Sequence, residues 1–258
     1  MANGLSDVLS DADLAAKLAR VAGQLLITVR ESGLVTGKDL GKAGDATANQ
    51  FLVHALRQQR AEDGLLSEEE KDNFERLTQS RVWIVDPVDG TREYGEARAD
   101  WAVHVGLAVN GAPMLGAVAL PGADAGQGAI YRSDTPVTVP PTPEVLRMVV
   151  SRTRPAAEAV FVAGQLGAEL VPMGSAGAKA MAVIRGEADI YLHSGGQFEW
   201  DSCAPVAVAL AHGLHCSRID GSPLVYNQRD TYLPDLLICR REHADRVLSE
   251  VARFQAEG

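Results

Sequence analysis

The sequence predicts a layered protein of mixed α/β and α+β character: an antiparallel sheet with helices first, a mixed or parallel sheet with helices second. Three observations carry that reading. Asn110-Gly111 stands between two apolar runs, Trp101–Val109 and Met114–Leu120, a strong signal for a hairpin of antiparallel strands. Pro140-Pro141-Thr142-Pro143 interrupts every periodicity and divides a domain of residues 1–141 from one of residues 142–258. Beyond that point short apolar runs alternate with helix-length segments, the rhythm of strand–helix units.

The elements follow in order. Leu14, Leu18, Val21, Leu25 and Val29 recur at spacings of four and three, one face of an amphipathic helix. Asp11 and Asp13 fall in its first turn, where negative charge suits the helix dipole. Gly33, Gly37, Gly41 and Gly44, with Lys38 and Lys42 between them, read as a mobile loop. A second helix is expected from about Asn49 to Gln59, capped by Asp45 or Thr47. Val82–Val85 is a β-branched run, a strand buried on both faces. After the proline-rich boundary come a strand at Val145–Ser151, a helix at Pro155–Leu166 and a strand near Glu169–Pro172. Next are a helix at Ser175–Arg185 closed by Gly186, a strand at Ala188–Leu192, and a helix at Ser202–His212 closed by Gly213. Strands near His215–Ile219 and Leu236–Arg240 and a helix from Glu242 complete the chain.

With 46% apolar and 22% charged residues, the 258-residue chain has the composition of a globular enzyme. Its formal charge of −10 argues against a nucleic-acid polymer as partner, because such binding needs a basic stripe. An acidic protein binds a polyanion only where metal ions supply local positive charge. Cys203, Cys216 and Cys239 show no CxxC spacing and read as buried thiols in a reducing cytoplasm. Met1–Ser10 lacks a basic region followed by an apolar run, so no secretory leader is read there. No uncharged stretch approaches the roughly 20 residues that span a bilayer, so no membrane partner is expected. A homodimer is left open.

The chemistry concentrates at Trp83-Ile84-Val85-Asp86-Pro87-Val88-Asp89-Gly90-Thr91. Asp86 and Asp89 follow a buried strand, with Pro87 stiffening the turn and Gly90 permitting a sharp change of direction. Two such carboxylates repel unless a cation sits between them, and magnesium, a hard ion, takes carboxylates plus substrate phosphate. The Val88 carbonyl is a third oxygen ligand. Glu68, in Ser67-Glu68-Glu69-Glu70, is placed to reach the same site. Asp201, in Glu199-Trp200-Asp201, opens an apolar helix whose N-terminus favours an anion. Asp201 also reads as a simple helix cap, and the two roles are compatible.

With those residues in view, the sequence resembles the inositol monophosphatase superfamily of lithium-sensitive, metal-dependent phosphatases. The matching stretches are Ser67-Glu68-Glu69, Trp83–Thr91, Gly174-Ser175-Ala176, Gly186–Tyr191, and Trp200-Asp201 with Ala204. The resemblance implies a sandwich of alternating helix and sheet layers. It implies two or three Mg²⁺ ions held by Glu68, Asp86, the Val88 carbonyl, Asp89 and Asp201. It also implies that Thr91 and Glu68 orient a metal-activated water, and that Gly90 and Thr91 amides hold phosphate oxygens. Val150-Ser151-Arg152-Thr153, Lys179, Glu199 and Leu224-Val225-Tyr226-Asn227 are similar to the CysQ branch, the 3′-phosphoadenosine 5′-phosphate phosphatases. The implied substrate is therefore a small phosphorylated molecule, a nucleotide bisphosphate. Inositol monophosphate and fructose 1,6-bisphosphate, shared across the superfamily, are the alternatives. Arg152 and Lys179 are the candidates to meet the second phosphate, with Ser175 and Asp201 also at the substrate. The bland readings are a solvated strand-end charge for Arg152, a snorkelling side chain for Lys179 and a helix N-cap for Ser175. One departure is visible: where the family carries a Thr-x-x-Asp-like pattern, this chain reads Asp45-Ala46-Thr47-Ala48-Asn49. The carboxylate has become Asn49 or moved to Asp45.

Other signals are weaker. His212 and His215, with His193, lack the spacing of a zinc site. The glycine-bearing segments 33–44 and 122–128 match neither dinucleotide-binding nor P-loop patterns.

Overall fold

The computed structural model describes residues 9–123 and 126–257. Of Met1–Ser10, only Leu9 and Ser10 lie within the described residues, so the reading of a missing leader lies outside them. Two long helices come first, α1 (Asp11–Glu31) and α2 (Gly37–Gln59). Ser10 caps α1, its hydroxyl oxygen accepting the Asp13 N–H at 3.1 Å. The first sheet follows, in the order β1 (Gly64–Ser67), β2 (Arg81–Asp89), β3 (Ala102–Val109), β4 (Ala112–Leu120), β5 (Ala129–Arg132). The expected hairpin joins β3 and β4, and Asn110 and Gly111 both take positive φ, 50° and 80°. The short strand β1, not foreseen, runs parallel to β2 and places Ser67 opposite Val85. A one-turn helix α3 (Thr91–Gly95) leaves the end of β2.

The second half contains β6 (Arg147–Ser151), α4 (Ala157–Leu166), β7 (Glu169–Met173), α5 (Ala176–Arg185) and β8 (Ile190–Ser194). It ends with α6 (Glu199–Ala211), β9 (His215–Ser217), β10 (Asp235–Cys239) and α7 (Arg241–Glu257). Its sheet has the order β7-β6-β8-β10-β9, with β7, β6 and β8 mutually parallel and β10 antiparallel to both neighbours. The mixed sheet expected after the proline-rich stretch is thus present.

The layers alternate: α1 and α2, the first sheet, α5 and α6, the second sheet, then α4 and α7. Three cores fill the four interfaces, the central one reaching from the first sheet through α5 and α6 to the second. Trp83, Val85 and Val103 pack with Leu14, Leu18 and Leu52 on the α1/α2 side. Ile84, Val118, Met181, Val206 and Tyr191 fill the centre. Met148, Val162, Leu237 and Val247 fill the far side. The α6 helix lies so close to the first sheet that a Cβ on Gly116 would stand 2.5 Å from the Ala204 carbonyl oxygen.

Two boundaries depart from expectation. Helix α2 starts at Gly37, not near Asn49, so Gly37–Gly44 is helical and Asp45 and Thr47 lie inside the helix. Gly41 and Gly44 serve close packing: a Cβ on Gly41 would meet Thr91 Cγ2 at 2.8 Å, and one on Gly44 would meet Tyr94 Cε1 at 2.6 Å. That proximity to α3 outweighs the cost of roughly 1 kcal/mol for each helical glycine. Helix α6 starts at Glu199 rather than Ser202.

Candidate metal centre

The centre forms where β1 and β2 both end. Asp86 and Asp89 are three residues apart, a separation that places side chains on opposite faces of a regular strand. The pairing shows how they come together: Asp86 faces His104 and Asp89 faces Ala102, three steps on β2 against two on β3. The extra residue is a bulge beside Pro87, which has no N–H to give the ladder. Beyond the bulge both carboxylates point toward α5 and α6. The parallel register of β1 delivers Glu68 beside Asp86, its N–H directed to the Val85 carbonyl at 3.4 Å.

Asp201 arrives from the third position of α6 and accepts the Phe198 N–H at 2.7 Å. It caps the helix with one oxygen while lying beside the Asp86 and Asp89 carboxylates, so the cap leaves it free to face the cluster. Carboxylate oxygens of Asp86, Asp89 and Asp201 lie within 4.8 Å of one another. No histidine joins such a group among the described residues, and the His212 ring bonds instead to the Val208 carbonyl.

The electrostatics follow from this crowding. Burial, then the charges of Glu68, Asp89 and Asp201, push Asp86 well above the usual carboxylate range. Burial, then the Asp89 charge, lifts Asp201 to about 7. Glu68 is lifted to about 7 by its desolvated carboxyl and by Asp45, Glu69 and Asp89, although the residue as a whole opens to solvent. Asp89 differs. Burial alone would raise it, but the His104 ring at 3.2 Å and the Lys179 charge hold it below the usual range. Asp89 also receives the Ser175 hydroxyl, the Ala176 N–H at 3.0 Å and the Gly177 N–H at 2.6 Å. Ser175 is the N-cap of α5, its oxygen accepting the Ala178 N–H at 2.9 Å. Its φ of 52°, rare for a serine, turns the first amides of α5 onto Asp89. His104 was missed in the sequence because it is an isolated histidine in an apolar strand.

Thr91 starts α3 after Gly90, whose φ is 89°. The Thr91 hydroxyl lies 3.1 Å from the Val88 carbonyl oxygen and 3.3 Å from Asp45 Oδ1. Burial, followed by the Glu69 charge, raises Asp45 to about 7. Asn49 is elsewhere: it accepts from Ser67 Oγ at 2.7 Å and donates to Glu70 at 2.8 Å. Of the two, Asp45 is the one beside Thr91.

The two basic candidates are engaged. Arg152 is no solvated charge; it donates to Glu93 at 2.7 Å and to Glu96 at 3.3 Å on and just beyond α3. Lys179 does not snorkel. It is 5% exposed, and its Nζ donates to the Ser175 carbonyl at 2.6 Å beneath the first turn of α5. A cavity of about 240 Å³ opens beside the cluster, lined by Glu68, Phe74, Trp200, Arg229 and Thr231 among others. A larger one of about 410 Å³, between α1 and β5, has no carboxylate among its described lining residues.

Comparison with known proteins agrees with this geometry. A protein of Mycobacterium leprae called 3′-phosphoadenosine 5′-phosphate phosphatase is 49% identical, over 94% of each chain. The 3′(2′),5′-bisphosphate nucleotidase CysQ of Escherichia coli K12 is 30% identical, over 86% of this chain and 96% of its own. Among solved structures, CysQ of Bacteroides thetaiotaomicron superposes with a TM-score of 0.74 at 23% identity, covering 90% of this chain and 97% of its own. An inositol monophosphatase of Anabaena gives 0.71 at 23% identity, covering 94% and 95%. These likenesses and the bulged Asp-Pro-Val-Asp strand lead to one assignment, matched over residues 7–255: the chain belongs to the inositol monophosphatase family.

Proposed function

We propose that the chain is a magnesium-dependent phosphomonoesterase that converts 3′-phosphoadenosine 5′-phosphate to AMP and phosphate. The observation that carries the metal reading is the convergence of Asp86, Asp89 and Asp201 oxygens within 4.8 Å. An all-oxygen donor set this crowded fits a hard divalent cation, because without one its charges oppose one another. The names of the relatives at 49% and 30% identity support the substrate. Glu68, Asp86, the Val88 carbonyl, Asp89 and Asp201 would hold two or three ions. Bound there, they lower the pKa of water and neutralise charge on the phosphoryl group.

The chain's own groups do the rest. When the Val88 carbonyl is engaged as a ligand, the Thr91 hydroxyl gives its hydrogen to Asp45. Its lone pairs then face the site and orient the attacking water. Asp45, poised at about 7, is the proton acceptor behind Thr91. Asp89, held anionic by His104, Lys179 and the α5 amides, keeps a fixed charge and orientation. Amides of Gly90 and Thr91 take phosphate oxygens, and Ser175 borders the substrate. Arg152 meets the second phosphate by leaving the exposed Glu96, while Lys179 supplies charge from behind Asp89. The substrate is small, and the free thiols of Cys203, Cys216 and Cys239, the first and last of them buried, suit a reducing cytoplasm. Among the described residues no helix is long and apolar enough to cross a membrane.

The test is phosphate release from 3′-phosphoadenosine 5′-phosphate, inositol 1-phosphate and fructose 1,6-bisphosphate, with Arg152→Ala beside the parent. A charge-assisted contact contributes roughly 1.5–3 kcal/mol, so KM for the bisphosphate nucleotide should rise about ten- to a hundredfold. KM for inositol 1-phosphate should change little. Equal losses on both substrates, or a parent that prefers inositol 1-phosphate, would overturn the nucleotidase reading.

A further inference from the structure

Glu68 and Asp201 reach the metal centre on separate segments, and a third segment joins those two through one buried arginine. Arg76, on the 3-10 turn Glu75–Thr78 that continues the Glu68 loop, is 2% exposed. Its Nε and Nη2 donate to Asp72 at 3.1 and 2.8 Å. Nη1 donates to Asn227 Oδ1 at 2.7 Å and Nη2 to the Gln228 carbonyl at 2.9 Å. Asn227 returns a bond from its Nδ2 to the Arg76 carbonyl at 3.2 Å. On its other side the 227–228 turn is held by Glu199, 1% exposed, whose two oxygens accept the Asn227 and Gln228 N–H groups, each at 2.7 Å. Glu199 is the first residue of α6, two before Asp201, and its own N–H donates to the Thr231 carbonyl at 2.9 Å. Glu199 and Asn227, singled out in the sequence for a resemblance, thus meet in space.

We propose that Arg76 is a positioning residue for the metal centre, fixing the Glu68 loop against the start of α6 through the Asn227–Gln228 turn. The inference rests on the metal-dependent reading above. Its reason is mechanical. Glu68 stands on an open rim and Asp201 on a helix, and when both are ionised without a cation their like charges push the two segments apart. Neither segment pairs with the other in a sheet. The buried fork on one side of the turn and Glu199 on the other resist that separation and keep the ligand set assembled before metal arrives. A lysine offers a point charge rather than a planar fork and cannot span Asp72, Asn227 and Gln228 together.

Two variants test this. Arg76→Lys keeps the charge. Asn227→Gly keeps the positive φ of 60° and removes only the amide that Arg76 holds. Mg²⁺ is titrated calorimetrically into chelator-treated protein, and melting curves are recorded on the same samples. Loss of outer-shell support typically costs 10- to 100-fold in metal affinity, so the Mg²⁺ dissociation constant should rise about tenfold in each variant. KM at saturating Mg²⁺ should stay near that of the parent. Val247→Ala, in the far core, should lower the melting temperature without moving the Mg²⁺ constant. If Arg76→Lys does not fold, Asn227→Gly alone decides. Parent-like Mg²⁺ constants in the folded variants would overturn the proposal while leaving the functional reading standing. A parent that binds no Mg²⁺ and hydrolyses nothing would overturn both.

Discussion

Asp89 shows how much a single residue does beyond offering a ligand. Its two oxygens accept from the Ser175 hydroxyl and the Ala176 and Gly177 amides, and His104 stands beside it. Asparagine has the same shape but only one acceptor oxygen, so Asp89→Asn turns an amide NH₂ toward donors. The variant should lose activity by orders of magnitude and also lose about 1–3 kcal/mol of stability. The change is isosteric yet does not spare the fold, because the α5 amides need an acceptor. Full activity of the parent in excess chelator would refute the metal reading on which the activity loss depends. Position 49 gives a contrast. Asn49→Asp would set a carboxylate against Glu70 rather than restore a ligand, because Asn49 donates to that side chain. Lithium inhibition should therefore be unmoved by Asn49→Asp and altered by Asp45→Asn. A lithium curve that shifts only in Asn49→Asp would contradict the placement of the relay on Asp45.

At the scale of elements, the readable signals were those that act locally. The Asn-Gly turn, the caps at Ser175 and Gly186, and the β-branched run before Asp86 each report their own backbone, and each element is present. The acidic cluster was legible because Asp86 and Asp89 sit in one short segment. The misread stretch was Gly37–Gly44, where Gly41 and Gly44 mark contact with α3 and not a turn. Nothing in the local sequence tells those two uses of glycine apart, since the neighbour lies some fifty residues away. β1 escaped notice because four residues cannot show a period. The α2–α3 contact makes its own prediction. Gly41→Ala would press a methyl group 2.8 Å from Thr91 Cγ2 and 3.3 Å from its carbonyl. Overpacking of this kind costs about 1–3 kcal/mol, and here it displaces Thr91, the residue proposed to orient water. Both melting temperature and kcat should fall. A fully active Gly41→Ala would show that α2 can back away from α3 without disturbing Thr91.

Across the whole molecule, the acidic centre links pH, metal and stability. Asp45 and Asp201 titrate at about 7 in the fold, Glu68 similarly, and Asp86 is also raised well above its usual range, whereas free carboxylates titrate near 4. Between about pH 4 and about pH 7 the metal-free fold therefore holds protons that the unfolded chain has released. Stability must fall as pH rises through that window, because the native state binds more protons there. Asp89 acts oppositely: its depressed value stabilises the fold above about pH 4 and is lost only in stronger acid. Divalent metal reverses the main trend, since the ligands bind it deprotonated. At a metal concentration a hundredfold above Kd, binding contributes about 2.7 kcal/mol, or roughly 5–10 °C in Tm for a chain of this size. Melting curves between about pH 5 and about pH 8 should thus show a falling Tm in chelator and a Mg²⁺ increment that grows with pH. A Tm in chelator that climbs through the range, or an increment equal at both ends, would mean that the carboxylates do not share their charge as their spacing requires.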